Sequence, residues 1–135
     1  MERTKILVVD DEEEICNVTR SFLVKRGYYI YTATNVKEAL ALVKREKPHL
    51  ILLDVRLGSD SGLEVLRKVK EIDPGIKVIM VTALDDEATI KDAKLLGADD
   101  YIAKPFTAAY LNDFILQKIS HLSAKEKIGG QEENS

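Results

Sequence analysis

The sequence predicts an α/β fold, a five-stranded parallel sheet that helices cover on both faces in a doubly wound (βα)5 arrangement. Two observations predict this fold. Short apolar runs rich in β-branched residues recur along the chain, and they are continuous rather than alternating, as is typical of strands buried on both faces. Between these runs, apolar residues recur at helical spacing, and the connections are too short for separate domains.

Five apolar runs predict the strands, and a stripe of apolar residues at helical spacing predicts the first helix. The strands cover residues 6–9, 28–33, 50–53, 78–81 and 101–103. The first helix ends before Gly27, a residue suited to a left-handed cap. Its predicted core face consists of Ile15, Val18, Phe22 and Leu23. Cys16, the single cysteine, lies in the same helix and is predicted to be a semi-buried apolar residue.

The second and third helices have clear signals for where they start or stop. Asn35 to Glu38 form a capping box that opens the second helix, and Pro48 forbids its continuation. Its predicted apolar residues are Ala39, Leu40 and Val43. The third helix covers about residues 63–70 and ends at the turn sequence of residues 73–75.

The fourth and fifth helices complete the predicted domain. The fourth covers about residues 87–96 and stops at Gly97, and the fifth begins after Thr107, which can serve as an N-cap. The apolar side of the fifth helix carries Leu111, Phe114, Ile115, Ile119 and Leu122. We expect one domain over residues 1–122, followed at residues 123–135 by a flexible tail or the start of a linker.

The charge and hydropathy of the chain argue against several kinds of partner. There are 20 basic and 23 acidic residues, without a basic stripe that carries interleaved aromatic residues, so we expect no direct binding of nucleic acid. No run approaches the roughly 18 to 20 consecutive apolar residues that span a bilayer, and the N-terminus does not resemble a signal peptide. We therefore expect a cytoplasmic protein without membrane insertion.

Chemically active side chains follow four of the predicted strands. They are Asp10 and Asp11 after the first strand, Asp54 after the third, Thr82 after the fourth and Lys104 after the fifth. The carboxyl ends of the strands form the binding crevice of such sheets, so these residues can converge. Carboxylates gathered in one crevice repel one another unless a cation neutralises them. Oxygen ligands predict Mg²⁺, with Mn²⁺ as a substitute, rather than zinc.

Each acid also has a simpler explanation when it is taken alone. An aspartate at the end of a strand is often a turn former or a helix cap, and the acids from Asp11 to Glu14 suit the N-terminus of a helix. Turns and caps do not explain why acids follow two strands while a hydroxyl and an ammonium follow two others. The combination favours a chemical site.

This combination resembles the receiver domain of two-component response regulators, which has a flavodoxin-like (CheY-like) fold. The resemblance extends from about Lys5 to Leu122. The matching stretches are Ile6–Glu12, Leu52–Asp54 with Gly62 eight residues later, Val81–Ala83 and Gly97–Phe106. Each stretch alone is weak, but their order and spacing together are highly specific.

The resemblance implies a role for each acid. Asp54 would be the nucleophile that takes a phosphoryl group from a phosphohistidine on a histidine kinase or a histidine phosphotransfer protein. Asp11, Asp54 and the backbone carbonyl of Arg56 would bind Mg²⁺, and Asp10 would act partly through a metal-bound water. Phosphoryl transfer depends mainly on positioning and charge neutralisation, which agrees with these ligands. Such a domain catalyses only its own phosphorylation and dephosphorylation, so we expect no enzyme acting on other substrates.

The resemblance also assigns the groups that would bind the transferred phosphoryl oxygens. Lys104 would pair with Asp54 at rest and with a phosphoryl oxygen afterwards, while the Thr82 hydroxyl and the Ala83 backbone N–H would donate to another oxygen. Pro105 would follow a cis peptide bond that aims the ammonium inward.

The output would be a change of surface. The resemblance implies that a movement of Thr82 is coupled to Tyr101. Tyr101 would then turn inward and reshape the face made by the fourth helix, the fifth strand and the fifth helix. Packing within a strand is the simpler explanation for Tyr101. Downstream target proteins, an output domain or a homodimer partner would bind this face.

Three positions depart from the common pattern of the family or tune it. Gly58 stands where the family often has proline, so we expect a more mobile loop after Asp54. Arg56 and Leu84 would flank the phosphoryl site, and we hypothesise that the apolar Leu84 hinders water and makes the aspartyl phosphate long-lived.

Three other functions compete with this interpretation of the sequence. Haloacid-dehalogenase-like phosphatases place their nucleophile after the first strand in an Asp-x-Asp pattern, whereas this chain has Asp10-Asp11-Glu12 there. A flavodoxin-like cofactor site needs an uncharged loop at the first helix, and the acids at residues 10–14 would repel a phosphate. The remaining alternative is a receiver that acts as a protein-binding module without phosphorylation.

Overall fold

The computed structural model of the chain describes residues 3–83, 86–107 and 109–118, in which strands and helices alternate. The main sheet consists of β1 (Lys5–Val9), β2 (Tyr29–Ala33), β3 (Leu50–Asp54), β4 (Lys77–Ala83) and β5 (Asp100–Lys104). The helices are α1 (Glu13–Val24), α2 (Val36–Glu46), α3 (Gly62–Ile72) and α4 (Glu87–Leu95). Residues 109–118 are also helical.

All five strands of the main sheet run parallel, in the order β2-β1-β3-β4-β5. The chain builds outward from β1 to β2, and it then crosses back to β3 on the other side of β1. The predicted doubly wound α/β fold is confirmed. The reversal between β1 and β3 opens a crevice at the carboxyl ends of these two strands.

Burial within the sheet depends on the position of the strand. Every residue of β3 is buried, and β1 and β4 are buried along most of their length. The expectation of burial on both faces is wrong for the edge strands, where Tyr29 is 47% and Tyr101 is 40% exposed. An edge strand lacks a neighbour on one side, so part of its apolar run stays in contact with solvent.

Helix α1 buries the predicted face only in part. Cys16 and Leu23 are buried, whereas Val18 is 63% exposed, so the predicted stripe is wrong at Val18. Cys16 is also more deeply buried than expected. Its small thiol fits against the sheet, where Sγ lies 3.4 Å from the Asp10 carbonyl oxygen and 3.7 Å from that of Ala33.

Helix α2 begins and ends where the local signals predicted. The Asn35 side chain accepts a hydrogen bond from the Glu38 N–H at 2.9 Å, and Glu38 Oε1 accepts one from the Thr34 N–H at 2.9 Å. At the other end, Lys47 adopts a left-handed φ of 50° directly before Pro48. The capping box and the stop signal are therefore confirmed.

A short hairpin between β3 and α3 is the one element here that the sequence did not predict. Arg56–Leu57 pairs antiparallel with Asp60–Ser61, and we call this segment the 56–61 hairpin. Its loop contains Gly58, the residue expected to loosen this segment. The structure pairs the residues on both sides of that glycine.

The chain divides into two compact units, with the boundary after Pro105. All the residues of the predicted chemical site belong to the first unit. Leu84, Ile119, Leu122 and the predicted tail at residues 123–135 lie outside the described residues. Across the part of the chain that the structure describes, no helix has the length and apolar character needed to cross a membrane.

Candidate functional site

The site lies where four strands end. Asp10 follows β1, Asp54 is the last residue of β3, Thr82 and Ala83 end β4, and Lys104 ends β5. A cleft of about 540 Å³ opens at this edge of the sheet. The residues that line it include Asp11, Asp54, Arg56, Thr82, Ala83 and Lys104. The fold thus brings together residues that are far apart in the sequence.

One ammonium group contacts two buried carboxylates. Lys104 Nζ lies 2.6 Å from Asp54 Oδ2 and 3.6 Å from Asp10 Oδ2. Burial opposes the charge of Lys104, but the hydrogen bond and charge of Asp54, together with the charge of Asp10, outweigh it, so the pKa of Lys104 is raised. The peptide bond between Lys104 and Pro105 is cis. Lys104 is therefore a charged group directed at Asp54.

Asp10 is a buried acid, and burial disfavours its ionised form. It is 5% exposed, and its Oδ1 accepts a hydrogen bond from the N–H of Glu12, the N-cap of α1, at 2.9 Å. Burial raises the pKa of Asp10; the Glu12 N–H and Lys104 oppose that rise, while the carboxylates of Asp54 and Asp11 add to it. A cation near these acids would relieve this cost.

Two backbone N–H groups of the 56–61 hairpin bind acids of the site. The Arg56 N–H donates to Asp54 Oδ1 at 3.0 Å, and the Gly58 N–H donates to Asp11 Oδ2 at 3.1 Å. Because Lys104 binds the other oxygen of Asp54, both oxygens of this carboxylate are engaged. The hairpin therefore helps to set the position of the acids.

The donor atoms at this edge suit a hard divalent cation. One carboxylate oxygen from each of Asp10, Asp11 and Glu12 lies within 4.8 Å of the others. Asp54 is close to this cluster, because Asp54 and Asp10 both contact Lys104 Nζ. Burial and the charge of Asp10 raise the pKa of Cys16 to about 11, so this neighbouring sulfur stays a protonated thiol. Oxygen donors without a thiolate fit Mg²⁺ better than zinc.

Thr82 links the cleft to a second cavity. Its hydroxyl is buried and has no hydrogen-bond partner among the described residues. The second cavity has a volume of about 210 Å³, and Thr82, Lys94 and Tyr101 are among the residues that line it. Tyr101 is partly exposed, and its ring centroid lies 5.6 Å from Lys94 Nζ. The two predicted switch residues therefore border one cavity.

Three residues have places at the site that the sequence reasoning did not assign. Glu12 joins the acidic cluster, and its only signal was the run of acids after β1. Asp86 lines the cleft while its Oδ1 caps α4 by accepting from the Thr89 N–H at 3.2 Å. Gly62 packs so closely on β3 that a Cβ there would overlap the Asp54 carbonyl oxygen. Its position eight residues after Asp54 was the sequence signal that could have identified it.

Comparison with known proteins identifies the family. A profile described as the response regulator receiver domain matches residues 6–116 of the chain. The chain belongs to this family. Every site residue described above lies within the matched range of this receiver domain.

Two curated relatives come from Bacillus subtilis (strain 168). The receiver domain is 37% identical over 115 residues to sporulation initiation phosphotransferase F, a match that covers 85% of this chain and 93% of that protein. It is 42% identical over 108 residues to the alkaline phosphatase synthesis transcriptional regulatory protein PhoP. That second match covers 80% of this chain but only 45% of PhoP.

Solved structures show the same fold. A CheY-like response regulator receiver domain protein from Methanospirillum hungatei JF-1 superimposes with a TM-score of 0.86 at 32% identity, covering 92% of this chain and 99% of that one. NtrX from Brucella abortus gives a TM-score of 0.86 at 30% identity, covering 95% of this chain and 29% of the longer one. The receiver domain thus matches both whole proteins and parts of longer ones.

Proposed function

We propose that this receiver domain accepts a phosphoryl group on Asp54, in a Mg²⁺-dependent reaction, from a histidine kinase or a histidine phosphotransfer protein. The observation that carries the proposal is the contact of Lys104 Nζ with Asp54 Oδ2 at 2.6 Å, beside a cluster of acidic oxygens. A similar protein is named a phosphotransferase, which supports the same reaction class. The cytoplasmic location remains a prediction from the sequence.

The transfer would join two anions, so neutralisation of charge would dominate it. An oxygen of Asp54 would attack phosphorus to form an O–P bond, while the P–N bond of the phosphohistidine breaks and its electron pair stays on the imidazole. Lys104 would then donate to a phosphoryl oxygen, and the Thr82 hydroxyl and Ala83 N–H would donate to another. Bound Mg²⁺ would supply positive charge that offsets the repulsion between the carboxylate and the anionic donor.

Four groups of this chain would hold the cation. They are the carboxylates of Asp10, Asp11 and Asp54 and the backbone carbonyl of Arg56. The close approach of acidic oxygens supports the first two, and the contact of the Arg56 N–H with Asp54 Oδ1 places Arg56 beside the third. Glu12, the third member of the acidic cluster, would lie next to the cation or its water shell.

The response to phosphorylation would be a change of surface on α4 and β5. The buried Thr82 hydroxyl is without a partner among the described residues, so it is available to a phosphoryl oxygen. Its movement would open the cavity of about 210 Å³ to the Tyr101 ring, which now lies partly exposed on β5. Downstream targets, or a second copy of the chain, would distinguish the two surfaces.

The test is intact mass spectrometry after incubation with acetyl phosphate and MgCl₂. We expect a gain of one phosphoryl group that is lost in Asp54→Asn and after chelation, but kept in Asp60→Asn, which neutralises an exposed acid of the neighbouring hairpin. Persistence of the gain in Asp54→Asn would contradict the acceptor. No gain with acetyl phosphate or with competent histidine kinases would favour a binding module that works without phosphorylation.

A further inference from the structure

The 56–61 hairpin contributes a backbone donor to the acids that would bind the cation. We propose that the Gly58 N–H is a positioning group for Asp11, so that the hairpin is a working part of the metal site rather than a passive connection. This inference rests on the proposed function, because it assumes that Asp11 binds the cation. It assigns a task to a position where the family often has a residue without an N–H, namely proline.

The loop of the hairpin needs an unusual backbone conformation at its first residue. Leu57 pairs with Asp60, so Gly58 and Ser59 form a two-residue loop. Gly58 has a φ of 65°, whereas Ser59 has no positive φ. A positive φ at the first loop residue alone is the pattern of a type II′ turn, which favours glycine there. Proline, with its φ fixed near −65°, could not form this loop.

The turn leaves the Gly58 N–H without a partner inside the hairpin. A turn of this type is closed by a hydrogen bond between the residues that flank the loop, so the N–H of the first loop residue takes no part in it. Gly58 is exposed, so this N–H is free to bind either water or an acceptor from another part of the chain. The Gly58 N–H finds one in Asp11 Oδ2 at 3.1 Å, across 47 residues of sequence.

The contact orients Asp11 without removing it from the acidic cluster. Asp11 is exposed, so its carboxylate would otherwise rotate freely at the rim of the cleft. With Oδ2 bound to Gly58, oxygens of Asp10, Asp11 and Glu12 still lie within 4.8 Å of one another. Outer-sphere donors that fix a ligand in this way commonly change metal affinity by about 10- to 100-fold.

The same hairpin acts on a second acid. The Arg56 N–H binds Asp54 Oδ1 at 3.0 Å, and Arg56 also carries the backbone carbonyl expected to bind the cation. Arg56 and Gly58 are held in one register by pairing with Ser61 and closure of the loop. One short hairpin thus contacts both Asp11 and Asp54 and carries the Arg56 carbonyl.

The test removes the Gly58 N–H and measures cation affinity. Glycolic acid in place of Gly58 gives an ester that lacks the N–H but keeps the positive φ accessible. Gly58→Asn is the matched control, since asparagine keeps the N–H and tolerates a left-handed φ. Titration with MgCl₂ at constant ionic strength, followed by NMR amide shifts, gives the Kd of each chain. The ester is also made in an Asp11→Ala background, which cancels effects on the hairpin itself.

We expect the ester to weaken Mg²⁺ binding about tenfold, Gly58→Asn to change it less than about threefold, and the ester to have no further effect once Asp11 is alanine. An ester that binds Mg²⁺ as well as the native chain would overturn the inference, and so would an equal loss in the Asp11→Ala background. If the native chain binds no Mg²⁺ at all, the proposed function fails together with it. The first two outcomes leave the proposed function intact.

Discussion

Asp10 and Asp54 are two buried acids whose oxygens both lie near one ammonium, that of Lys104. A buried carboxylate is costly unless it is paired and hydrogen-bonded, and one lysine cannot balance two acids together with the exposed Asp11 beside them. A cation bound at the proposed site would offset this imbalance. The lysine itself lies at the end of β5, where the sheet fixes its backbone.

Lys94 and Tyr101 provide a test at the scale of single residues. The ammonium lies 5.6 Å from the ring centroid, and contacts of this kind at exposed sites contribute about 0.5–1 kcal/mol. Because the contact favours the outward ring, we expect Lys94→Met to raise the ratio of inward to outward Tyr101 about two- to fivefold. NMR of ¹³C-labelled tyrosine rings measures this ratio. Lys91→Met, the same change on the same helix, is the control, and an equal shift in both variants would contradict the prediction.

At the scale of elements, the connection from β3 to α3 is the most constrained part of the site. The 56–61 hairpin binds two acids through its backbone, and α3 starts at Gly62, whose N–H donates to the Val55 carbonyl at 2.6 Å. The helix therefore begins immediately against the strand that carries Asp54. The space between helix and strand leaves no room for a side chain at this point.

Gly62→Ala tests that close approach. A Cβ would overlap the Asp54 carbonyl oxygen and lie 3.1 Å from Val55 Cα, and both are backbone atoms that cannot rotate away. We expect the free energy of unfolding in urea to fall by about 1–3 kcal/mol and phosphorylation of Asp54 to slow. Gly75→Ala is the control, because a Cβ there meets only the Asp73 side chain. Equal stability of the two variants would contradict this account.

The capping box of α2 gives a pH-dependent prediction. Hydrogen bonds from the Thr34 N–H and hydroxyl lower the pKa of Glu38 below its usual 4.5. A lowered pKa means that ionised Glu38 stabilises the fold above its unfolded pKa, and that this stability is lost as the pH falls through the folded pKa. Glu38→Gln keeps an acceptor but removes the charge. We expect it to lower the free energy of unfolding slightly at pH 7 and by progressively less as the pH falls below 4.5, whereas a pH-independent difference would refute the assignment.

At the scale of the whole molecule, cation binding at the proposed site would be coupled to folding. The proposed ligands come from the ends of β1 and β3 and meet only in the folded chain, so a cation bound there would favour the native state. The strand order places these two ends side by side. Stability should therefore depend on the concentration of Mg²⁺.

Urea unfolding at several MgCl₂ concentrations checks this coupling. At a concentration of 100 times the Kd, we expect the free energy of unfolding to rise by about 2.7 kcal/mol, and chelation should reverse the gain. The same unfolding measurement in NaCl at matched ionic strength controls for screening of charge. Asp11→Ala should show a smaller gain at the same concentration. A gain that NaCl reproduces would show that ionic strength, rather than binding, stabilises the fold.

Much of the fold was predictable from the sequence because its signals are local. The continuous apolar runs mark the central strands, and Asn35 with Glu38 marks the start of α2 through contacts only three residues apart. The choice of buried face on α1 was not predictable in this way. Cys16 is buried and Val18 exposed because the space against the carbonyls of Asp10 and Ala33 suits a small thiol.

By itself, the sequence determined the parallel α/β fold, because the spacing of apolar residues in strands and helices is a local property. It also determined the residues at the strand ends, because the carboxyl ends of parallel strands lie at the same edge of the sheet. Only the tertiary structure decided that Lys104 also reaches Asp10, that Gly58 binds Asp11, and that Gly62 leaves no space beside β3. These are contacts between residues brought together by the path of the backbone. Their distances depend on how the strands and loops pack, which no local pattern records.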